Sequence, residues 1–225
     1  MTDNCSSSKT GTLDRALRTN DAINLGFYLR GAVEVARELL GAVLVHETSH
    51  GVTSGRIVET EAYAGVEDAA CHSYRHAERR PGHRTNAMYD EGGRAYVYLI
   101  YGMYHCFNVV ANIPGKPEAV LIRALEPLEG IELMKRRRRT EDIRRLCSGP
   151  GKLCQAMGIT LEQYGTDLKT RGGLYLLSGE PPDAAFVLAT PRMNVDYSGE
   201  AKNHPYRFVD RGSEFLSSRR FIPKR

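Results

Sequence analysis

The chain has 225 residues, 41% of them hydrophobic and 26% charged; this excludes a disordered chain and suffices for one domain with a sizeable core. A net charge of +4 is compatible with a polyanionic partner without establishing one. The five cysteines, an odd number with no C-x-x-C pair, argue against a disulfide framework and favour a reducing, intracellular compartment.

Residues 1–22 are polar and read as a mobile lead-in rather than a signal peptide, with the folded domain expected over 23–225. No run of about 18 apolar residues exists, so no membrane span is expected. Val33, Ala36, Leu39 and Leu40 recur at helical spacing and predict a helix over Tyr28–Leu40, stopped by Gly41. Ala42–His46 and GRIVETEAY, separated by a Gly/Ser turn, predict a hairpin. Glu67–Arg94 is a long polar, basic loop, a length that is often functional. Tyr96–Tyr101, Cys106–Ala111 and Ala119–Ala124 read as strands. A helix is expected to start near Pro127 and run into KRRRR (135–139), read as a solvated face in preference to a phosphate patch. CSGPGKLCQAMGI predicts a helix opening at Pro150. Further strands are expected at Gly173–Leu177, Phe186–Thr190 and Tyr206–Val209. The fold class is α+β: a single compact domain with a mixed, largely antiparallel curved sheet and surrounding helices.

Three clusters carry chemistry. In a strand, Glu59, Glu61 and Tyr63 share one face, with Arg56, Val58, Thr60 and Ala62 on the other. By themselves the residues slightly favour an exposed hairpin face. A catalytic reading needs a group for the acids to orient or a water to activate. The loop HSYRHAERRPGHR sets His72, His76 and His83 among arginines that repel a cation, so the pattern suits phosphates and bases better than a metal. The chain has 12 tyrosines and no tryptophan, yet Tyr96, Tyr98, Tyr101 and Tyr104 crowd one segment. Tyr96, Tyr98 and Ile100 face one way; Val97, Leu99 and Tyr101 face the other. Tyr96 and Tyr104 are read as sheet-packing rings, and Tyr101, just before Gly102, as a projecting corner.

The blocks IVETEAY, AACHS, YVYLIYGMYHCFN, LIRALEPLEG and LCSGPGKLCQA, in this order, resemble the alkyladenine (3-methyladenine) DNA glycosylase family. The resemblance implies an enzyme that flips alkylated or deaminated purines out of duplex DNA. It hydrolyses the N-glycosidic bond with a water activated by Glu61, leaving an abasic site in an unbroken strand. It implies a base pocket of Tyr63, His72, Tyr98 and Asn108, with Asn108 excluding guanine. It implies DNA contacts from Tyr101, as a wedge, and from Met103, Arg123 and Lys152. Arg123 is placed near backbone phosphates, while Glu59 is left a structural hydrogen-bonding role. It implies a monomer acting on double-stranded DNA, with no cofactor and no metal. A noncatalytic single-stranded nucleic-acid-binding module is the rival reading. A sugar-hydrolase acid pair is the weaker one, because Glu59 and Glu61 sit about 6.5–7 Å apart along one strand rather than flanking a bond.

Overall fold

A computed structural model describes residues 21–223. The expected lead-in therefore lies outside the described residues up to position 20, although Ala22 already bridges Leu177. Among the described residues, two short helices come first, α1 (Leu25–Tyr28) and α2 (Ala32–Glu38). They replace the single helix expected over Tyr28–Leu40. The break falls at Gly31, which is extended at φ −61°, ψ 144° and forms the N-cap of α2.

Among the described residues eight strands follow, β1 (Val43–Thr48), β2 (Gly51–Tyr63), β3 (Ala95–Ile100), β4 (Tyr104–Ala111), β5 (Glu118–Glu129), β6 (Leu174–Leu177), β7 (Val187–Thr190) and β8 (Arg207–Asp210). Every pairing among them is antiparallel. The main order is β3-β4-β5-β2-β1-β6, with β8 pairing β2 and β7 pairing β8. The thirteen-residue β2 organises this branching. One edge pairs with β5; the other pairs first with β1, over Gly51–Arg56, and then with β8, over Glu59–Glu61.

Register shifts around Glu59 interrupt the β2–β5 ladder and alter the expected two-faced alternation. Thr60 donates to the Ala36 carbonyl at 2.7 Å, and Ile57 and Ala62 join the core under α2. Val58 instead packs with Val209 and Leu216, away from that core. Neither acid lies on an exposed hairpin face: Glu59 and Glu61 are both 0% exposed.

The strand β5 runs through Pro127 to Glu129, so helix α3 (Ile131–Arg138) starts later than expected. Pro127 sits opposite Gly55 next to a register shift, where a missing N–H is tolerated. Gly130 precedes α3 at φ +71°, and a Cβ there would come within 2.2 Å of the Val52 carbonyl oxygen. The basic run on α3 is only partly solvated. Arg137 donates to the Ala156 carbonyl at 3.0 Å, tying α3 to its neighbour, and Arg138 to the Leu146 carbonyl at 3.1 Å in the segment between the two helices.

That neighbour is α4 (Pro150–Met157), which starts at Pro150 as expected and ends at left-handed Gly158. Its buried side, Leu153, Cys154, Ala156 and Met157, packs into the main core with Leu146, Val109 and Ile122. Within β3 the alternation is as predicted, but Tyr101, expected on the side of Val97 and Leu99, lies beyond the strand in the turn and lines the same cavity as Tyr96 and Tyr98. Val97 enters that core, while Tyr96 and Tyr98 join a smaller cluster with Met88, Tyr89 and Ala119. Tyr96 is buried as expected, but Tyr104 is 48% exposed, a correction caused by its place in the last pair before the β3–β4 turn, opposite Ile100.

Candidate active site

The strands β2, β3, β4 and β5 and the loop after β2 surround a cavity of about 360 Å³, within the size range of small-ligand sites. Tyr63, His72, Tyr98 and Asn108 all line it, as do Tyr101, Tyr104 and Arg123. Residues that sequence spacing placed in three separate clusters are thereby brought to one site.

The floor is a layer of charge. Arg123, on β5, donates from Nε to Glu59 at 3.0 Å and from Nη1 to Glu61 Oε2 at 3.2 Å. Glu59 also accepts from Arg207 Nε at 2.8 Å and from the Ser217 backbone and hydroxyl at 2.7 Å each. Burial alone would raise the Glu59 pKa, but Arg123 and Arg207 outweigh it and hold the carboxyl below its ordinary value. Arg207 is itself fully enclosed, donating also to Thr190 and to the carbonyls of Ser218 and Arg220. Glu59 thus has the structural hydrogen-bonding role expected of it. Arg123 is 8% exposed, and its guanidinium is turned to Glu59, Glu61 and Ser217 rather than to the protein surface. A contact near backbone phosphates was expected of Arg123; in the free protein its Nε and Nη1 donate to carboxylates and its Nη2 to the Ser217 hydroxyl.

Glu61 lies immediately behind the cavity wall. Its three partners, Tyr63, Arg123 and Met193, all line the cavity. Tyr63 donates its hydroxyl to Oε2 at 2.9 Å, and the Met193 backbone N–H donates to Oε1 at 2.7 Å. A carboxylate offers about four acceptor positions. Tyr63 and Arg123 occupy those of Oε2, which leaves one on Oε1.

The rings form the walls. His72 and Tyr98 pack edge to face with centroids 4.8 Å apart, and Tyr96 stands 5.4 Å from Tyr98. His72 Nδ1 lies 2.9 Å from the Tyr96 hydroxyl. Burial, with Arg84 and His83 nearby, pushes the His72 pKa down to about 4, so the imidazole is neutral at pH 7. Burial raises the Tyr63, Tyr96 and Tyr98 phenols above their ordinary value. Asn108 is fixed by a 3.0 Å bond from its Nδ2 to the Tyr96 carbonyl.

At the mouth stands the β3–β4 turn. Tyr101 is 79% exposed and Met103 65%. Tyr101 and Gly102 have φ of +53° and +68°; a bulky residue in the left-handed region is an outlier that a turn imposes. Lys152 is exposed in the first turn of α4, next to Gly151 on the rim.

Sequence reading missed the segment 192–197. Arg192 is buried, pairs with Asp68 at 2.8 Å and lies 4.9 Å from the Tyr63 ring centre. Met193, Asn194 and Tyr197 line the cavity. The only local signal was PRMNVDY, whose Asn194 is left-handed at φ +59°; nothing in it points to Glu61, 132 positions earlier. Among the described residues, no group of three or more His, Cys, Asp or Glu side chains is placed to hold a metal.

A family model described as methylpurine-DNA glycosylase matches residues 26–214. The chain belongs to the methylpurine-DNA glycosylase family. Its curated relatives include proteins of Methanocella arvoryzae (47% identical over 194 residues, 86% of this chain and 94% of the relative), Desulfitobacterium hafniense (45% over 199; 85% and 96%) and Bacillus cereus (46% over 202; 86% and 97%). Each carries the name "Putative 3-methyladenine DNA glycosylase". The chain is accordingly a DNA glycosylase of alkylation repair, a hydrolase acting on N-glycosyl bonds. Among the described residues, no helix of this glycosylase is long and apolar enough to cross a membrane.

Proposed function

We propose that this glycosylase acts as a monomer on double-stranded DNA and extrudes a damaged purine into the ring-lined cavity. Tyr101 enters the stack in place of the extruded nucleotide, with Met103 beside it. Unstacking costs a few kcal/mol, least for a damaged base, and stacking on Tyr63, His72 and Tyr98 returns about 1–3 kcal/mol per base. Asn108, held by the Tyr96 carbonyl, crowds the exocyclic amino group of guanine. Lys152 and the basic loop meet phosphates.

Glu61 holds a water on the remaining acceptor position of Oε1. The water oxygen bonds to the anomeric carbon and its proton passes to Glu61. The C–N bond breaks, and its electron pair leaves with the base. The carboxylate also steadies positive charge developing on the sugar. The family and the names of its relatives favour 3-methyladenine among the lesions.

One observation carries this reading: Tyr63 both lines the cavity and donates to Glu61, so the base pocket and the acid are joined by one side chain. Duplexes carrying 3-methyladenine, 7-methylguanine, hypoxanthine or ethenoadenine, incubated and then treated with alkali, report abasic sites. Glu61→Gln is expected to keep lesion binding and lose base release by about 10²–10⁴-fold, the usual worth of a general base. Release at the wild-type rate in that variant would remove Glu61 from the chemistry.

A further inference from the structure

Among the described residues, three exposed rings edge the mouth of the cavity. Tyr101 and Tyr104 belong to the β3–β4 hairpin, whereas Tyr197 belongs to the connection between β7 and β8. In sheet order β4, β5 and β2 are consecutive, and β8 pairs with the edge of β2 that β5 leaves free. Tyr197 therefore reaches the cavity from the β2 side, away from the hairpin. The residue is 71% exposed, yet its hydroxyl turns inward and donates to the Ala70 carbonyl at 3.4 Å. Burial raises the pKa of that hydroxyl, with Arg192 opposing the rise and Asp68, Cys71 and Glu61 adding to it. Tyrosine has an apolar body and a polar tip. Here the tip is tied to the wall near His72, and the body is left bare at the rim.

We propose that Tyr197 is a substrate-binding residue that packs on the deoxyribose of the extruded nucleotide and holds its anomeric carbon over Glu61. The inference rests on the cavity holding an extruded nucleotide.

The place of the sugar follows from two constraints. The base is enclosed by Tyr63, His72 and Tyr98, whereas the sugar stays tied to phosphates on both sides and cannot leave the mouth. Of the two Glu61 oxygens, Oε2 is taken by Tyr63 and Arg123, and Oε1, the one with room for a water, accepts from the Met193 N–H. The carbon that this water attacks must lie close to Oε1, and so close to the segment 193–197. Tyr197 is the ring of that segment. The sugar of DNA has no 2′-hydroxyl, so it offers an edge of C–H groups that gains by leaving water against a bare aromatic face. Tyr101 and Tyr197 then have separate tasks. One fills the gap in the stack, and the other meets the nucleotide that left it.

The test uses duplexes that differ at one position: an undamaged base, hypoxanthine, or tetrahydrofuran, an abasic analogue that keeps a sugar ring and lacks the base. Tyr197→Ala is expected to weaken binding to the tetrahydrofuran duplex about ten-fold, the scale of one aromatic stacking contact. It should slow single-turnover release of hypoxanthine at subsaturating protein by a similar factor and leave affinity for the undamaged duplex unchanged. Tyr197→Phe, which keeps the ring, should match wild type in all three measurements. The residue is exposed, so both variants are expected to fold. Unchanged tetrahydrofuran affinity or unchanged release in Tyr197→Ala would overturn the inference. Equal losses on the tetrahydrofuran and undamaged duplexes would make Tyr197 a contact to flanking DNA and also overturn it. A loss shared by Tyr197→Phe would assign the effect to the hydroxyl and its tie to Ala70, and the sugar contact would fall. Wild-type protein that binds tetrahydrofuran no more tightly than the undamaged duplex would instead strike at the extrusion reading itself.

Discussion

The floor of the cavity and the turn at its mouth are built on opposite terms. In the floor, Glu59, Glu61, Arg123 and Arg207 are all buried, and each is held by several hydrogen bonds. At the mouth, Tyr101 and Met103 hold large apolar surface in water, on a backbone bent into the left-handed region. The floor is costly to disturb because burial leaves no water to replace a lost partner. The turn is cheap to disturb because its side chains have almost no partners in the free protein. Effects on stability and effects on DNA binding should therefore separate between the two regions.

The largest break in that comparison is Glu59→Ala. It strands Arg123 and Arg207 in the interior, and denaturant unfolding should show a loss of about 3–5 kcal/mol. A loss under about 1 kcal/mol would mean that water or neighbouring residues replace the carboxylate. Tyr101→Ala should do the converse. Stability should stay within about 0.5 kcal/mol of wild type. Affinity for a lesion-bearing duplex should fall by about 1–3 kcal/mol. Unchanged affinity and unchanged single-turnover excision would remove the wedge role.

A smaller effect sharpens the contrast from the wall between the two regions. His72 is neutral in the folded protein down to about pH 4, whereas in the unfolded chain it takes up its proton near the ordinary histidine value of about 6.5. Below that value the unfolded state binds more protons, so stability due to His72 is present above about pH 6.5 and falls as pH drops toward 4. The slope of unfolding free energy against pH across this window should be shallower in His72→Gln than in wild type. Equal slopes would show that His72 charges in place.

The legible parts of the molecule were those set by local pattern. Alternation in Tyr96–Ile100 correctly separated the rings that line the cavity from Val97 and Leu99, because a strand has only two faces. Pro150 correctly marked the start of α4, since its missing N–H costs nothing in the first turn. The blocks containing Tyr63, His72, Tyr98 and Asn108 pointed to one site that the fold assembles. Local pattern failed at Pro127, read as a helix start although it continues β5, because a register shift that tolerates proline is a property of two strands. It failed at Tyr104, whose exposure depends on where the hairpin ends.

The approximate places of most strands and the identity of the ring-bearing segments followed from the chain alone, since each depends on neighbours a few positions apart. Whether the acids of β2 met water or the interior did not. That was decided by β5 and β8 closing on either side of β2 and by Arg207 and Met193 arriving from 148 and 132 positions away. A carboxylate on a strand has the same local pattern in both cases. Only the charges and donors that the folded chain brings against it determine whether it can be buried ionised.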